Sequence, residues 1–401
     1  MVSGRLCAVV LLCIARVASA QTADPWTAPT TPDESGEEAP ATHGDGVKLG
    51  GFFEAYEDWN FREPSNGVNN LRGFDLRYAT FAIQNAVVDV TWTKGPVTGR
   101  IALQFGDEPD AYYQAEPTQP ASGTAPASGP TEWRHIQEAW ASWTPCGKLE
   151  LTAGLVGSPI GPEVIALKDD WNWSHSNLYF MLPYFHAGVR AKHPIGDTGL
   201  YLIGAVYNGW NNALDENRSP SFDAIVQYQK GDWTAQAQYF TGVQRPDGGP
   251  DTQHWRHVFD AYVQGPIVDK LAFILQGNGG FERSAPGVAD RPQWLGGAAY
   301  LKYDITSRVY VAARGDVLRE WRPAGATPIF LPSGVDWITS GTATVAWRPV
   351  PGLDLRLEYR HDAASNVAFF DGTVLNDPDT GFAIANTEVQ DTVTGGVIAW
   401  F

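Results

Sequence analysis

Seven short Gly-, Pro- or Asp-rich joints alternate with eight long polar segments from Leu49 onward. The runs between them carry apolar residues on one face and polar residues on the other, and the last alternates Val393, Gly395, Val397, Ala399, Phe401 to close on an aromatic. Together these features predict an all-β chain folded as a closed antiparallel transmembrane β-barrel of about 16 strands, with short periplasmic turns and long extracellular loops.

The chain starts with a segment built for export. Arg5 precedes nine apolar residues, Leu6–Ile14, and Ala18-Ser19-Ala20 offers a small-residue cleavage site, so 1–20 reads as a signal peptide. Nine residues are far short of a membrane-spanning helix, and Leu11-Leu12-Cys13 lacks the small residues expected before a lipoprotein cysteine. Cleavage removes Cys7 and Cys13 and leaves Cys146 alone, which excludes an internal disulfide. Residues 21–46 follow as an acidic Pro/Thr-rich lead-in with no apolar face, expected to be disordered. Without the leader, 26 basic residues stand against 45 acidic ones, a net charge near −19 that disfavours nucleic acid as a partner.

Residues 47–401 are assigned to the barrel. Beyond residue 20 no run of eighteen apolar residues occurs, so helical spanning is excluded. The 42 Gly and 28 Pro suit many short strands, a composition that a propeller or a secreted sandwich would share. The short joints are read at Lys94-Gly95-Pro96, Pro145-Cys146-Gly147, Pro194-Ile195-Gly196-Asp197, Lys230-Gly231-Asp232, Gly265-Pro266, Tyr303-Asp304 and Pro349-Val350-Pro351-Gly352. The long segments fall near 62–73, 107–132, 158–178, 209–220, 243–254, 279–293, 317–334 and 363–389. A soluble sandwich has no reason to sort its loops by length in this way.

Within strands, Leu353, Leu355, Leu357 and Tyr359 oppose Asp354, Arg356, Glu358 and Arg360. Four consecutive charges on one face exclude an oily core there and point to a water-filled interior. Residues 148–155, 233–239, 259–264 and 305–311 follow the same rule, placing Glu150, Asp260 and Arg308 on the lumen side; Arg314 and Asp316 are expected there too. Trp337 and Trp347 lie on one face at a spacing of about 25 Å along the membrane normal for a strand tilted by about 40°, which matches an aromatic at each interface. Trp233, Tyr359 and Phe401 are further interface candidates near strand ends.

Sixteen strands close at a radius of roughly 16 Å, too wide for wall side chains alone to fill. The segment 158–178 is the candidate for narrowing: it sets Glu163, Lys168, Asp169 and Asp170 beside Trp171, Trp173 and Tyr179. An inward fold would put Lys168, Asp169 and Asp170 beside the ion path, with Glu163 of less weight.

The segments Gly51–Asn60, Asn85–Trp92 running through Gly95-Pro96 to Gly99–Gly106, and Asn172–Ser176 followed by Pro183–Arg190 resemble the OmpL-like β-barrel porin-2 family. The family pattern commonly sets an Arg where this chain has His175, a departure that would alter a charge. The resemblance implies an outer-membrane channel for small hydrophilic solutes, without cofactor and without an agreed substrate. The alternative is a non-conducting structural or adhesive barrel that binds a partner through its long loops. Lipid, lipopolysaccharide and the barrel-assembly machinery are the expected partners. A homotrimer is expected ahead of a monomer, with Gly341 and Ala343 permitting close wall packing.

Catalysis is not expected. Ser174, His175 and Ser176 are sequence neighbours that an extended segment would point to opposite faces. His254 and His257 lack further ligands at metal spacing, and Asp107, Glu108 and Asp110 read as solvated loop acids rather than a cation site.

Overall fold

The computed structural model describes residues 45–401 apart from 115, 117–132, 146–147, 216, 218, 245–254, 283–290, 324–325 and 327. The leader, the lead-in up to residue 44, Cys146 and His254 lie outside the described residues.

Sixteen antiparallel strands form one closed sheet: β1 Gly46–Asn60, β2 Phe81–Lys94, β3 Val97–Phe105, β4 Ile136–Trp143, β5 Glu150–Gly157, β6 Phe185–Pro194, β7 Leu200–Tyr207, β8 Ser221–Lys230, β9 Trp233–Val243, β10 Trp255–Val268, β11 Leu271–Glu282, β12 Gln293–Thr306, β13 Val309–Trp321, β14 Trp337–Trp347, β15 Leu353–Ala364 and β16 Val389–Trp400. Each strand pairs with its sequence neighbours, and β1 closes the ring on β16 from Phe52 opposite Trp400 to Asn60 opposite Thr392. Closure leaves no sheet edge, the condition for backbone to cross lipid without unpaired polar groups. Among the described residues no helix is long and apolar enough to span a membrane.

The alternation sets two surfaces. On β13, Tyr310, Ala312, Arg314, Asp316, Leu318 and Glu320 are buried inside, whereas Val317 and Trp321 are exposed outside. On β15, Asp354 through Asp362 follow the same parity, with Leu357 58% exposed on the outer wall. A surface this apolar and this exposed belongs in lipid.

All eight long joints lie at one end of the barrel and the seven short ones at the other. Two short joints sit elsewhere than expected. β10 runs straight through Gly265-Pro266, and the chain turns at Asp269-Lys270; β12 likewise passes Tyr303-Asp304 and turns at Ser307-Arg308. At both places a bulge next to the turn supplies one extra residue. At the second, odd-numbered residues therefore stay outward on both sides of the hairpin, and the alternation 305–311 reads as one unbroken strand. Lys270 takes the left-handed backbone (φ 68°) that this turn demands.

The interior differs from a simple water-filled tube. Toward the loop end, inward Tyr207, Phe240, Val258, Trp294, Leu318 and Ile338 form an apolar cluster with loop residues Ile160, Leu182, Leu331, Val335 and Phe369. Toward the turn end, inward Asp89, Arg100, Glu138, Glu150, Arg190 and Lys192 remain only half-buried. Polar side chains thus face open space chiefly in the turn half of the barrel.

Candidate functional site

The segment 158–184 leaves β5 and runs along the inner wall of β13–β16 and β1. Its path begins at Pro159, whose carbonyl accepts from Gln236 Nε2 (2.6 Å). It bends at Gly161, where φ is +85° and a Cβ would stand 2.8 Å from Gln276 Nε2. A 3-10 turn, Leu167–Asp169, follows, and then a short helix, Asn177–Phe180, capped by Ser176 Oγ accepting from Tyr179 N (3.2 Å).

Wall charges hold this backbone. Glu54 of β1 accepts from Leu167 N (2.7 Å). Glu358 of β15 accepts from Trp173 N (2.5 Å), Ser174 N (2.9 Å) and Ser174 Oγ (2.5 Å). Asp316 of β13 accepts from Asn177 N (3.2 Å) and Nδ2 (2.8 Å). The guanidiniums supply the opposite polarity: Arg356 donates to the carbonyls of Asn172 (2.7 Å) and Leu167 (2.8 Å), Arg360 to that of His175 (2.5 Å), and Arg314 to those of Ser174 and His175 (3.1 Å for the latter). Irregular backbone away from water needs such partners, and bonds to charged groups contribute about 1.5–3 kcal/mol each.

Packing completes the seat. Gly396 of β16 leaves the space for the Trp173 ring, since a Cβ there would meet it at 2.2 Å. Leu178 packs on Ala298 and Tyr300. Residues of the β1–β2 and β3–β4 loops reach the same interior. Arg72 bonds Asp75 (2.6 Å) and Asp362 (3.0 Å), and Glu108 accepts from Asn85 Nδ2 (2.5 Å).

The alternation pattern was right about which face carries the charges and wrong about what they meet. Arg314, Asp316, Asp354, Arg356, Glu358 and Arg360 are all buried; five of them bond the loop directly, whereas Asp354 pairs with Arg348 (3.2 Å) and Arg356 (3.1 Å). Asp260 is buried as well, accepting from Gln276 (2.8 Å) and Asn278 (3.1 Å). Glu150 is half-buried on the inner face, opposite Lys192. Arg308 is exposed in the β12–β13 turn, away from the inner wall. Within the loop, Lys168 and Asp169 pair at 2.6 Å with side chains 29% and 53% exposed, whereas Asp170 turns into the loop's own interior against His175 Nε2 (3.3 Å). Glu163, expected to be the lesser residue, accepts from Ser176 N (3.0 Å) and pairs with Arg314 (3.4 Å).

On the outer wall, Trp337 and Trp347 occupy opposite ends of β14 and Trp233 opens β9, all exposed. Tyr359 is outward but lies mid-strand, its hydroxyl donating to Asp391 (2.8 Å), so it is not a strand-end aromatic. Phe401 follows β16, and its N–H donates to the Gly51 carbonyl (3.2 Å).

Glu54 and Arg72 were missed from sequence. Glu54 alternates with Tyr56, Asp58 and Asn60 on the inward face of β1, a signal as clear as that of β15. Arg72 lies in a loop, where no periodicity marks it.

His175 stacks on Tyr179 (4.1 Å between ring centroids), and its Nε2 donates to the Val164 carbonyl (2.8 Å). Burial pushes the Asp170 carboxyl up to about 6, against the opposing hydrogen bond and charge of His175. Burial pulls His175 down, but the hydrogen bond and charge of Asp170 with the charge of Glu163 raise it above the ordinary histidine value. Both groups hold protons more tightly folded than unfolded. Their contribution is therefore complete below the unfolded values and is lost as pH rises through about 6 and above. Acrylamide quenching of the tryptophans should accordingly be greater at pH 8 than at pH 6. His175→Phe, which keeps the stacking, should flatten that difference; equal quenching of the wild type at both pH values would contradict it.

A closed sixteen-stranded antiparallel barrel with long loops at one end, one of them laid along its inner wall, is the architecture of bacterial outer-membrane porins. The chain belongs to the OmpL-like beta-barrel porin-2 family, whose profile matches residues 46–401. Solved structures share the fold at low identity. The anion-selective porin from Comamonas acidovorans superposes with a TM-score of 0.57 at 10% identity, covering 89% of this chain and 100% of that one. The outer membrane channel DcaP of Acinetobacter baumannii gives 0.55 at 12% identity, covering 89% and 98%. OprB of Pseudomonas putida gives 0.54 at 10% identity, covering 89% and 94%. Among curated proteins no sequence match is found. The protein is thus a β-barrel of the bacterial outer membrane with a fold shared by channels and consistent with passive transport.

Proposed function

We propose that the barrel is a porin through which small hydrophilic solutes diffuse passively, and that the segment 158–184 narrows its lumen. The observation that carries this reading is the set of wall carboxylates and guanidiniums bonded to the backbone from Leu167 to Asn177. This loop, fixed to the inner wall, is withdrawn from the external surface that adhesion would use. The half-buried polar residues of the turn half supply a hydrated path, and bulky apolar solutes are disfavoured because they cannot replace the hydration of these groups. In this reading the barrel assembles as a homotrimer; a monomeric mass in native detergent analysis would contradict that assembly.

Reconstitution of the folded protein in a planar bilayer tests the reading, with stable ohmic steps expected. Absence of conductance from a correctly folded sample would favour the structural or adhesive barrel. Selectivity should respond to the exposed loop pair. Lys168→Glu and Asp169→Asn are expected to shift the reversal potential in opposite directions at low salt, where screening is weakest. Asp170→Asn should shift it less, because Asp170 faces His175 rather than open space. Equal effects of Asp169→Asn and Asp170→Asn would contradict that distinction.

A further inference from the structure

We propose that a cleft on the outer wall, at the loop end of β11–β13, binds the phosphorylated headgroup of an outer-leaflet glycolipid. The cleft has a volume of about 690 Å³, and Arg291, Gln293, Arg319 and Trp321 are among its lining residues. The sheet register puts Phe281, Gln293 and Trp321 side by side on one outward rung, with Arg319 one rung away beside Leu295 and Trp337. Arg319 lies 4.9 Å over the Trp321 ring and Arg291 lies 5.2 Å over Phe281. Neither guanidinium has a carboxylate partner among the described residues, and stacking on a ring fixes the plane of each while leaving its N–H edge free.

The third cation of the cleft is already engaged. Arg322 donates to the carbonyls of Pro332 (3.1 Å) and Val335 and lies 3.6 Å from Asp336. That contact also occupies Asp336, the one exposed carboxylate among the described lining residues. Two unpaired, ring-stacked guanidiniums on one small surface suit a doubly charged oxyanion, because their planar forks bond its oxygens in pairs. Directly toward the turn end the wall is apolar, with Leu295 59% and Val317 48% exposed. A free phosphate ion would use the guanidiniums alone, whereas a phosphorylated lipid also covers this wall with its chains. The site stands at the loop end, the outer leaflet's level, so the geometry points to the lipid.

The test uses the full chain purified in neutral detergent and titrated with diphosphoryl lipid A, with its dephosphorylated form and with inorganic phosphate, bound fractions being read by native mass spectrometry. The diphosphoryl form is expected to bind best, and R291Q/R319Q is expected to weaken it by about tenfold or more, the loss of two charge-assisted contacts. Inorganic phosphate at millimolar concentration should not displace it. Arg291→Gln alone, at an exposed position, should give a smaller loss and serves where the double variant misassembles. Equal binding of the dephosphorylated form, unchanged affinity in both variants, or displacement by inorganic phosphate would each overturn the assignment.

Discussion

A Glu358→Ala barrel is expected to conduct several-fold better than wild type and to melt at a lower temperature. Glu358 accepts three bonds from the loop at Trp173 and Ser174 and a fourth from Thr344 Oγ1 (2.7 Å). It is buried, and Arg314, Arg356 and Arg360 share its inner face. Its loss strands two backbone N–H groups and leaves the neighbouring cations short of negative charge. Breaking a buried network of this kind costs about 3–5 kcal/mol. The loop then loses its middle anchor while Glu54 and Asp316 still hold its flanks, so widening rather than unfolding is the expected outcome. Single-channel recording and a heat-modifiability assay read the two effects. Wild-type conductance together with wild-type stability would show that the loop does not depend on this anchor.

Removing Trp400 and Phe401 should largely abolish assembly into the outer membrane. Trp400 forms the last rung of the seam opposite Phe52, and its N–H donates to Gly352 O (2.9 Å). Its side chain packs on the clusters around Ile398 and Phe52. Phe401 N bonds Gly51 O, and the Phe401 ring lies 3.1 Å from where a Cβ on Gly51 would stand. The truncation opens the seam at its turn-side end and exposes unpaired strand backbone to lipid, where each unsatisfied group costs several kcal/mol. Fractionation of membranes with a folding-sensitive gel measures the yield. A truncated chain recovered at wild-type level would mean that the seam closes without its final rung.

Much of the fold was legible because a barrel wall is built from local rules. Side-chain alternation and the lengths of the joints are properties of neighbouring residues, and they located sixteen strands and the sense of both faces. The errors at Gly265-Pro266 and Tyr303-Asp304 arose where composition and geometry part company. Both dipeptides look like turns, but a bulge lets the strand continue to Asp269-Lys270 and Ser307-Arg308.

The site was less legible. The charge row Asp354–Arg360 was read as facing water because charged side chains need partners, and water was the partner that local sequence could supply. For Arg356, Glu358 and Arg360 the partner is instead backbone lying up to 189 residues away in sequence, as between Arg356 and Leu167. Alternation cannot encode that choice. The pairing of Asp170 with His175 was hidden for a different reason: adjacent Asp169 and Asp170 are chemically alike, and only the turn Leu167–Asp169 separates one toward open space and the other inward. The position where the family pattern commonly has Arg thus holds a buried histidine within the loop's own packing, not an exposed pore charge.

Solute flux tests the central claim most directly. Liposomes carrying the folded full-length barrel should swell in isotonic solutions of small sugars, at rates that fall steeply with sugar size, and the Glu358→Ala barrel should admit larger sugars than wild type does. Liposomes that swell no faster than protein-free ones with every sugar, despite verified insertion, would contradict the account.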